Sequence, residues 1–118
     1  MSSERKHSEP EATATQTAIT ECAAQRVEAN AAEAKNLALE LAPVRVNLIA
    51  AGFVDTPLSA ALLGDELENR RNQLRATLPI RRVIGPADVA ALAVHIMTNT
   101  ALTGATYDID GGQQLVEG

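Results

Sequence analysis

The sequence is poor in aromatic residues: one phenylalanine, Phe53, one tyrosine, Tyr107, and no tryptophan occur among 118 residues. Single-stranded nucleic acids are bound by stacking bases on aromatic side chains, and duplexes by basic surfaces. The formal net charge here is -5. We therefore expect no nucleic-acid partner, and we interpret the short basic runs Arg70-Arg71 and Arg81-Arg82 as solvated helix or loop faces.

The sequence also contains only one cysteine, no recognisable spacing of metal ligands and no long apolar run. The single cysteine, Cys22, excludes an intrachain disulfide and fits a reducing cytoplasm. His7 and His95 lie far from it and from each other, so we expect no metal site. No apolar run approaches the roughly 20 residues of a membrane-spanning helix, and the N-terminus lacks the apolar core of a signal peptide. These absences predict a soluble cytoplasmic protein with no membrane partner.

The chain divides into an N-terminal arm and one domain. Residues 1–17 are rich in Ser, Thr, Glu and Ala, contain Pro10 and show no aliphatic periodicity, which predicts a disordered arm. With 46% hydrophobic residues overall, the chain can bury a modest core. We expect residues 18–118 to form one partial α/β domain.

Hydrophobic periodicity predicts the elements of this domain. Apolar residues three and four apart predict a helix over 18–42, ended by Pro43. The near-continuous apolar run 44–51 predicts a parallel strand covered on both faces, although Arg45 and Asn47 interrupt it. Two short helices, 58–63 closed by Gly64 and 65–78, would then form a helical insertion that covers a site, with its charged residues outward.

The remaining segment predicts one more helix and one more strand. Pro86 at a first-turn position and Asp88 just after it favour a helix over 86–98. Its predicted apolar face comprises Val89, Leu92, Ala93, Ile96 and Met97. The alternating segment ATYDID predicts a strand that stops at Gly111-Gly112. Two parallel strands are not a self-sufficient core, so we expect this chain to be part of a larger sheet or of an oligomer.

Three segments in this order resemble the C-terminal part of the short-chain dehydrogenase/reductase family: LALELAPVRVNLIAAGFVDTPL, LPIRRVIGPADVAALAVHIM and TGATYDIDGG. The resemblance extends from about Asn36 to the end. It implies the C-terminal portion of a Rossmann-like, doubly wound parallel sheet, here incomplete. It also implies NAD(P)-dependent oxidation or reduction of an alcohol/carbonyl pair.

The resemblance assigns a cofactor role to the loop after the first strand, which in the family lines the nicotinamide side of bound NAD or NADP. The implied cofactor-binding residues are Gly52, Phe53, Val54 and Thr56. Gly52 would let the backbone approach the cofactor, the main chain of Val54 would bind the carboxamide, and the Thr56 hydroxyl would reach a carboxamide or phosphate oxygen. Ala51 replaces the usual proline. Read from the residues alone, Gly52 and Thr56 would make a turn and cap the next helix.

The phosphate-binding and proton-transferring parts of the family have no counterpart in the sequence. No glycine occurs before Asn36, so a glycine-rich turn is absent. At the family's spacing, the Tyr-x-x-x-Lys pair falls near Ala23 and Val27, and the single tyrosine, Tyr107, has Gly111 four residues later. No serine is placed for catalysis either. We therefore assign no catalytic residue.

Three hypotheses follow. The first is a C-terminal fragment of such an enzyme, from a truncated or misassembled reading frame in which residues before about Asn36 are not family sequence, and inactive alone. The second is a non-catalytic oligomerisation or interaction module, because the family's last helix and strand commonly pack against those of another subunit, either a second copy or a relative. The third is a split enzyme whose other half is a separate polypeptide. The substrate, and NAD against NADP, stay open.

Overall fold

The computed structural model describes residues 25–117. The expected disordered arm, residues 1–17, and the expected start of the first helix lie outside this range. The described elements combine helices with two parallel strands, which confirms the α/β class. The buried hydrophobic residues among them are Ala34, Leu74, Leu78, Ile84 and Ile96.

Helix α1 occupies residues 25–40 and ends in a turn just before Pro43. The proline has no N–H to continue the helical hydrogen bonds and restricts the residue before it, which explains why the helix stops there. The chain then reverses through a hydrogen bond from the Val44 N–H to the Leu41 carbonyl, 2.8 Å. The predicted end at residue 42 is thus two residues too late.

Strands β1 (Leu48–Ala51) and β2 (Thr106–Ile109) pair in parallel, with Leu48 opposite Thr106 and Ala51 opposite Ile109. This confirms the predicted parallel pairing. The prediction of a strand from residue 44 that is covered on both faces is wrong for these residues. Val44 is 61% exposed and no residue of β1 is fully buried.

The side chains that interrupt the predicted strand explain its late start. The Arg45 guanidinium donates to the carbonyls of Ile96 and Met97, near the C-terminal end of the helix Pro86–Thr98. Asn47 donates from Nδ2 to the Leu102 carbonyl at 3.0 Å and accepts from the Ala105 N–H at 3.2 Å. Residues 45 and 47 therefore connect β1 to the segment before β2 through their side chains.

The helical insertion consists of helix α2 (Pro57–Leu63), a 3₁₀ turn (Gly64–Glu66) and helix α3 (Leu67–Thr77). Gly64 has a φ of 54°, a conformation that glycine adopts without strain, so it ends α2 as predicted. The 3₁₀ turn replaces the first turn of the predicted second helix. Leu74 and Leu78 are fully buried, which places this insertion on the core.

Helix α4 (Pro86–Thr98) has the predicted bounds. Asp88 Oδ2 accepts a hydrogen bond from the Gly85 N–H at 2.8 Å and so caps the first turn, as expected from its position. The predicted apolar face is correct at the buried Ile96 and wrong at Met97, which is 63% exposed. His95 is exposed on the same helix.

A short helix, α5 (Gln113–Glu117), follows β2 and was not predicted. The Asp110 carboxylate accepts from the Gly112 N–H at 2.9 Å and from the Gln114 N–H at 3.2 Å, which turns the chain into this helix. Asp110 thus ends the strand, as expected. Among residues 25–117, no helix combines the length and apolarity needed to cross a bilayer.

Candidate functional site

The loop of residues 52–56, which we call the β1 loop, leaves β1 beside the carboxyl end of β2. The Gly52 N–H donates to the Ile109 carbonyl at 3.3 Å, which prolongs the pairing of the two strands by one residue. In open parallel α/β sheets, ligands bind at the carboxyl ends of the strands. The β1 loop therefore holds all four predicted cofactor-binding residues at the edge where a ligand is expected.

Gly52 packs so closely against the segment after β2 that no side chain fits. A Cβ atom at this position would lie 2.5 Å from Gln113 Oε1 and 2.7 Å from Asp110 Cβ. This packing role was not predicted, because it depends on residues about 60 positions further along the chain. Close approach of Gly52 to a cofactor stays a prediction.

Phe53 is fixed through both its main chain and its ring. Its N–H donates to Gln113 Oε1 at 3.1 Å. The guanidinium carbon of Arg70, on α3, lies 5.8 Å from the ring centroid, within the range of a cation–π interaction. Phe53 therefore joins the C-terminal helix to the helical insertion.

Val54 forms a parallel bridge with Ile84, in which the Asp55 N–H donates to the Ile84 carbonyl at 2.8 Å. In a parallel bridge of this kind, the residues on either side of Val54 form the hydrogen bonds to Ile84. The N–H and C=O of Val54 itself therefore point away from Ile84. A carboxamide needs one acceptor and one donor, and the main chain of Val54 supplies such a pair.

Thr56 is the N-cap of α2. Its Oγ1 accepts from the Ser59 N–H at 3.1 Å, and its own N–H donates to Ser59 Oγ at 2.9 Å, which together form a capping box. The turn-and-cap interpretation is thus correct for Thr56. Within residues 25–117, its O–H has one acceptor, Ser59 Oγ at 3.4 Å, which is long for such a bond. The hydroxyl therefore retains donor capacity for a ligand.

Asp55 connects the β1 loop to α3 through an ion pair. Arg71 donates from Nε to Oδ2 at 3.0 Å and from Nη2 to Oδ1 at 2.9 Å. Its Nη1 also donates to Glu68 at 3.2 Å, and Glu68 accepts from Arg75 at 3.1 Å. The pKa of Arg71 is raised, first by the Asp55 carboxylate and then by Glu68. The pKa of Glu68 is lowered, first by Arg75 and then by Arg71. The interpretation of Arg71 as a solvated charge is therefore wrong.

The second arginine run also has structural contacts. Arg82 donates to both carboxylate oxygens of Asp88, at 2.9 and 2.7 Å, and this pair, together with the Gly85 N–H, lowers the pKa of Asp88. Arg81 donates to the Ala76 carbonyl at the end of α3. The Arg82 side chain is 58% exposed, which agrees with the predicted surface location of Arg81-Arg82. Both arginines nevertheless have hydrogen-bond partners.

An open groove of about 400 Å³ lies beside β2. None of the four predicted cofactor-binding residues lines it. The acidic groups in its wall are already used: Asp88 pairs with Arg82, Asp110 caps α5, and Asp108 accepts from Gln114 Nε2 at 3.1 Å. The acidic side chains of the groove therefore already have hydrogen-bond partners within the protein.

Of the two positions predicted for the family's acid/base pair, one lies among the described residues. Val27 lies on α1, 38% exposed, while Ala23 falls outside the described residues. Tyr107 lies in β2, opposite Ile49. Across residues 25–117, histidine, cysteine and acidic side chains nowhere gather in a group of three that could hold a metal ion.

Comparison with known families matches residues 12–114 to the family described as enoyl-(acyl carrier protein) reductase. The matched residues begin upstream of the boundary predicted near Asn36, which removes the reason for regarding the preceding residues as unrelated sequence. Among curated relatives, 3beta-hydroxysteroid dehydrogenase 1 from Eggerthella lenta is 39% identical over 88 residues, covering 71% of this chain and 33% of that protein.

Two solved structures share the fold. A small-chain dehydrogenase in complex with NADPH has a TM-score of 0.70 and 33% identity, over 75% of this chain and 40% of that one. The MalC reductase/Diels-Alderase from Malbranchea aurantiaca has a TM-score of 0.68 and 32% identity, over 72% and 33%. The chain spans about a third of the length of the curated relatives it matches. With this fold and this family match, the chain belongs to the short-chain dehydrogenase/reductase family.

Proposed function

We propose that this chain supplies the nicotinamide-side loop and the C-terminal packing elements of an NAD(P)-dependent oxidoreductase that acts on an alcohol/carbonyl pair, and that these 118 residues alone do not catalyse the reaction. The observation that carries the proposal is the geometry of Val54. Its main-chain donor and acceptor face away from the Ile84 bridge, at the carboxyl end of β1.

The residues of the β1 loop fit the nicotinamide end of the cofactor. Val54 would bind the carboxamide through its main chain, and the Thr56 hydroxyl would donate to a carboxamide or phosphate oxygen. Gly52 and Phe53 would hold the loop in place through their contacts with Gln113. When bound, the nicotinamide supplies or accepts a hydride.

The same residues provide no route for the accompanying proton. Reduction of a carbonyl needs a group that donates a proton to the new alkoxide, and the family uses a tyrosine whose phenol is activated by a lysine on the same helix face. The aligned positions here are alanine and valine, which have no titratable group. Inactivity of the chain alone follows from this substitution.

A titration of isotope-labelled protein tests the binding part of the proposal. Reduced nicotinamide mononucleotide, which carries the ring without the second nucleotide, is expected to cause saturable amide shifts confined to residues 53–56. The amides of Gly111 and Gly112, which line the groove, serve as the internal control. Shifts at the groove and none at the β1 loop would contradict the proposal. Calorimetry with NAD and NADPH is expected to show no micromolar binding, because no glycine occurs before Asn36 to form the family's phosphate-binding turn.

A second candidate function is oligomerisation with another copy or with a relative of the same family. Helices α4 and α5 expose large apolar side chains: Met97 is 63% exposed and Leu115 is 83% exposed. Large apolar groups exposed at the surface favour association. Size-exclusion chromatography with light scattering should then give a monodisperse oligomer that Met97→Glu dissociates. Leu39→Glu, at an exposed position on α1, is the control. A monomer at all concentrations would exclude this function.

A further inference from the structure

The helical insertion contacts the β1 loop through two consecutive arginines of α3. Arg71 binds the Asp55 carboxylate with two nearly parallel hydrogen bonds, 3.0 and 2.9 Å long. Arg70 places its guanidinium over the Phe53 ring, 5.8 Å from the centroid. The two loop residues that are held in this way flank Val54.

The Asp55–Arg71 pair differs from an ordinary surface ion pair. Its two side chains are only 28% and 29% exposed, and the planar guanidinium engages both carboxylate oxygens. Arg71 is also oriented by Glu68, which Arg75 holds in turn. Because Glu68 already restricts the Arg71 side chain, forming the pair with Asp55 costs less side-chain entropy than forming an isolated pair.

We propose that Arg70 and Arg71 form a two-point latch that fixes the β1 loop to helix α3, so that the loop and the helical insertion open as one unit. Arg71 is then a positioning residue for the main chain of Val54, because Asp55 is bonded both to Arg71 through its carboxylate and to Ile84 through its N–H. The consequence for nicotinamide binding rests on the proposed function; the latch itself does not.

Hydrogen exchange of the unliganded full chain tests the latch. The Asp55 amide, which donates to the Ile84 carbonyl, reports opening of the loop. Replacing Arg71 with glutamine should raise its exchange rate by about fivefold, the size expected for loss of one partly buried pair. The Leu78 amide, bonded to Leu74 in the core, should not change. Salt at about 1 M should produce part of the same effect in the unmodified chain.

Arg26→Gln is the control, since Arg26 is exposed on α1 and lies outside the network of Arg71, Glu68 and Arg75. It should leave the Asp55 amide within about twofold of its original rate. In the Asp55→Asn background, Arg71→Gln should have no further effect on the Phe53 amide.

Three results would overturn the latch: an unprotected Asp55 amide in the unmodified chain, no response to Arg71→Gln, or an equal rise at Leu78 that indicates general loosening. Because no cofactor is present, these results are independent of the nicotinamide titration. If hydrogen exchange supports the latch and the titration gives no nicotinamide shifts, the proposed function is contradicted and the latch is not.

Discussion

The main-chain N–H of Phe53 donates a hydrogen bond to Oε1 of Gln113, at 3.1 Å and across 60 residues of sequence. This bond joins the β1 loop to the first residue of α5. The C-terminal segment therefore supports the loop from one side, while α3 holds it from the other.

Removing the acceptor should destabilise the protein. Gln113→Leu would leave a partly buried N–H without its partner, and we expect it to lower the free energy of unfolding by about 1–2 kcal/mol. Gln113→Glu keeps an acceptor oxygen and should retain most of that stability. Urea unfolding monitored by circular dichroism measures both. Equal losses in the two variants would show that the bond contributes nothing.

Gly52→Ala should be destabilising because the new methyl group has no room. Its Cβ would lie 2.5 Å from Gln113 Oε1 and 2.7 Å from Asp110 Cβ, so neighbouring atoms must move, at a cost of about 1–3 kcal/mol. Gly85→Ala is the matched control, since its φ is −112° and the nearest atom to a new Cβ is 3.9 Å away. The same denaturation experiment applies, and a Gly52→Ala variant as stable as Gly85→Ala would refute the packing role.

Arg45 should be one of the larger contributors to stability. Its guanidinium donates to the carbonyls of Ile96, Met97, Asn99 and Leu102, and its charge lies at the negative end of the α4 dipole. Arg45→Met should cost about 2–3 kcal/mol, and Arg45→Lys should fall in between, since lysine keeps the charge but not the fork.

The exposed Arg26, on α1, provides the comparison for Arg45. Arg26→Met removes an equal charge from the surface and should change the unfolding free energy by less than about 0.5 kcal/mol. A similar loss in the two methionine variants would mean that net charge, and not the cap of α4, is responsible.

Stability should fall in acid partly through Asp88. Its pKa is lowered in the folded protein by Arg82 and then by the Gly85 N–H. A carboxyl whose pKa is lower when folded stabilises the protein above its unfolded pKa, and that contribution is lost as the pH falls below about 4. Thermal unfolding of Asp88→Asn should therefore show a weaker dependence of Tm on pH between about 5 and 2 than the unmodified chain. Parallel curves would contradict this assignment.

Local signals in the sequence were sufficient for several elements. Pro86 and Asp88 mark the start of α4 because each acts within one helical turn, and Gly64 ends α2 through its own backbone conformation. For α4 and α2, the determining interaction lies within a few residues along the chain. The cofactor-binding role that the family resemblance assigns to the four residues of the β1 loop stays a prediction.

Long-range side-chain contacts could not be predicted in this way. By its position in the sequence Arg45 interrupts a predicted strand, although it caps a helix more than 50 residues away. Gln113 carries no local sign of its bond to Phe53, and α5 is too short to show helical periodicity. The bidentate contact of Arg71 with Asp55 likewise depends on how α3 packs, which periodicity does not specify.

The most direct test of the account is a turnover assay of the purified 118-residue chain. NADPH or NADH would be mixed with a panel of ketones and aldehydes, and loss of reduced-cofactor absorbance followed against a protein-free blank. We expect no consumption above the blank, because alanine and valine at the predicted acid/base positions cannot deliver a proton. Sustained, protein-dependent oxidation of either cofactor would contradict it.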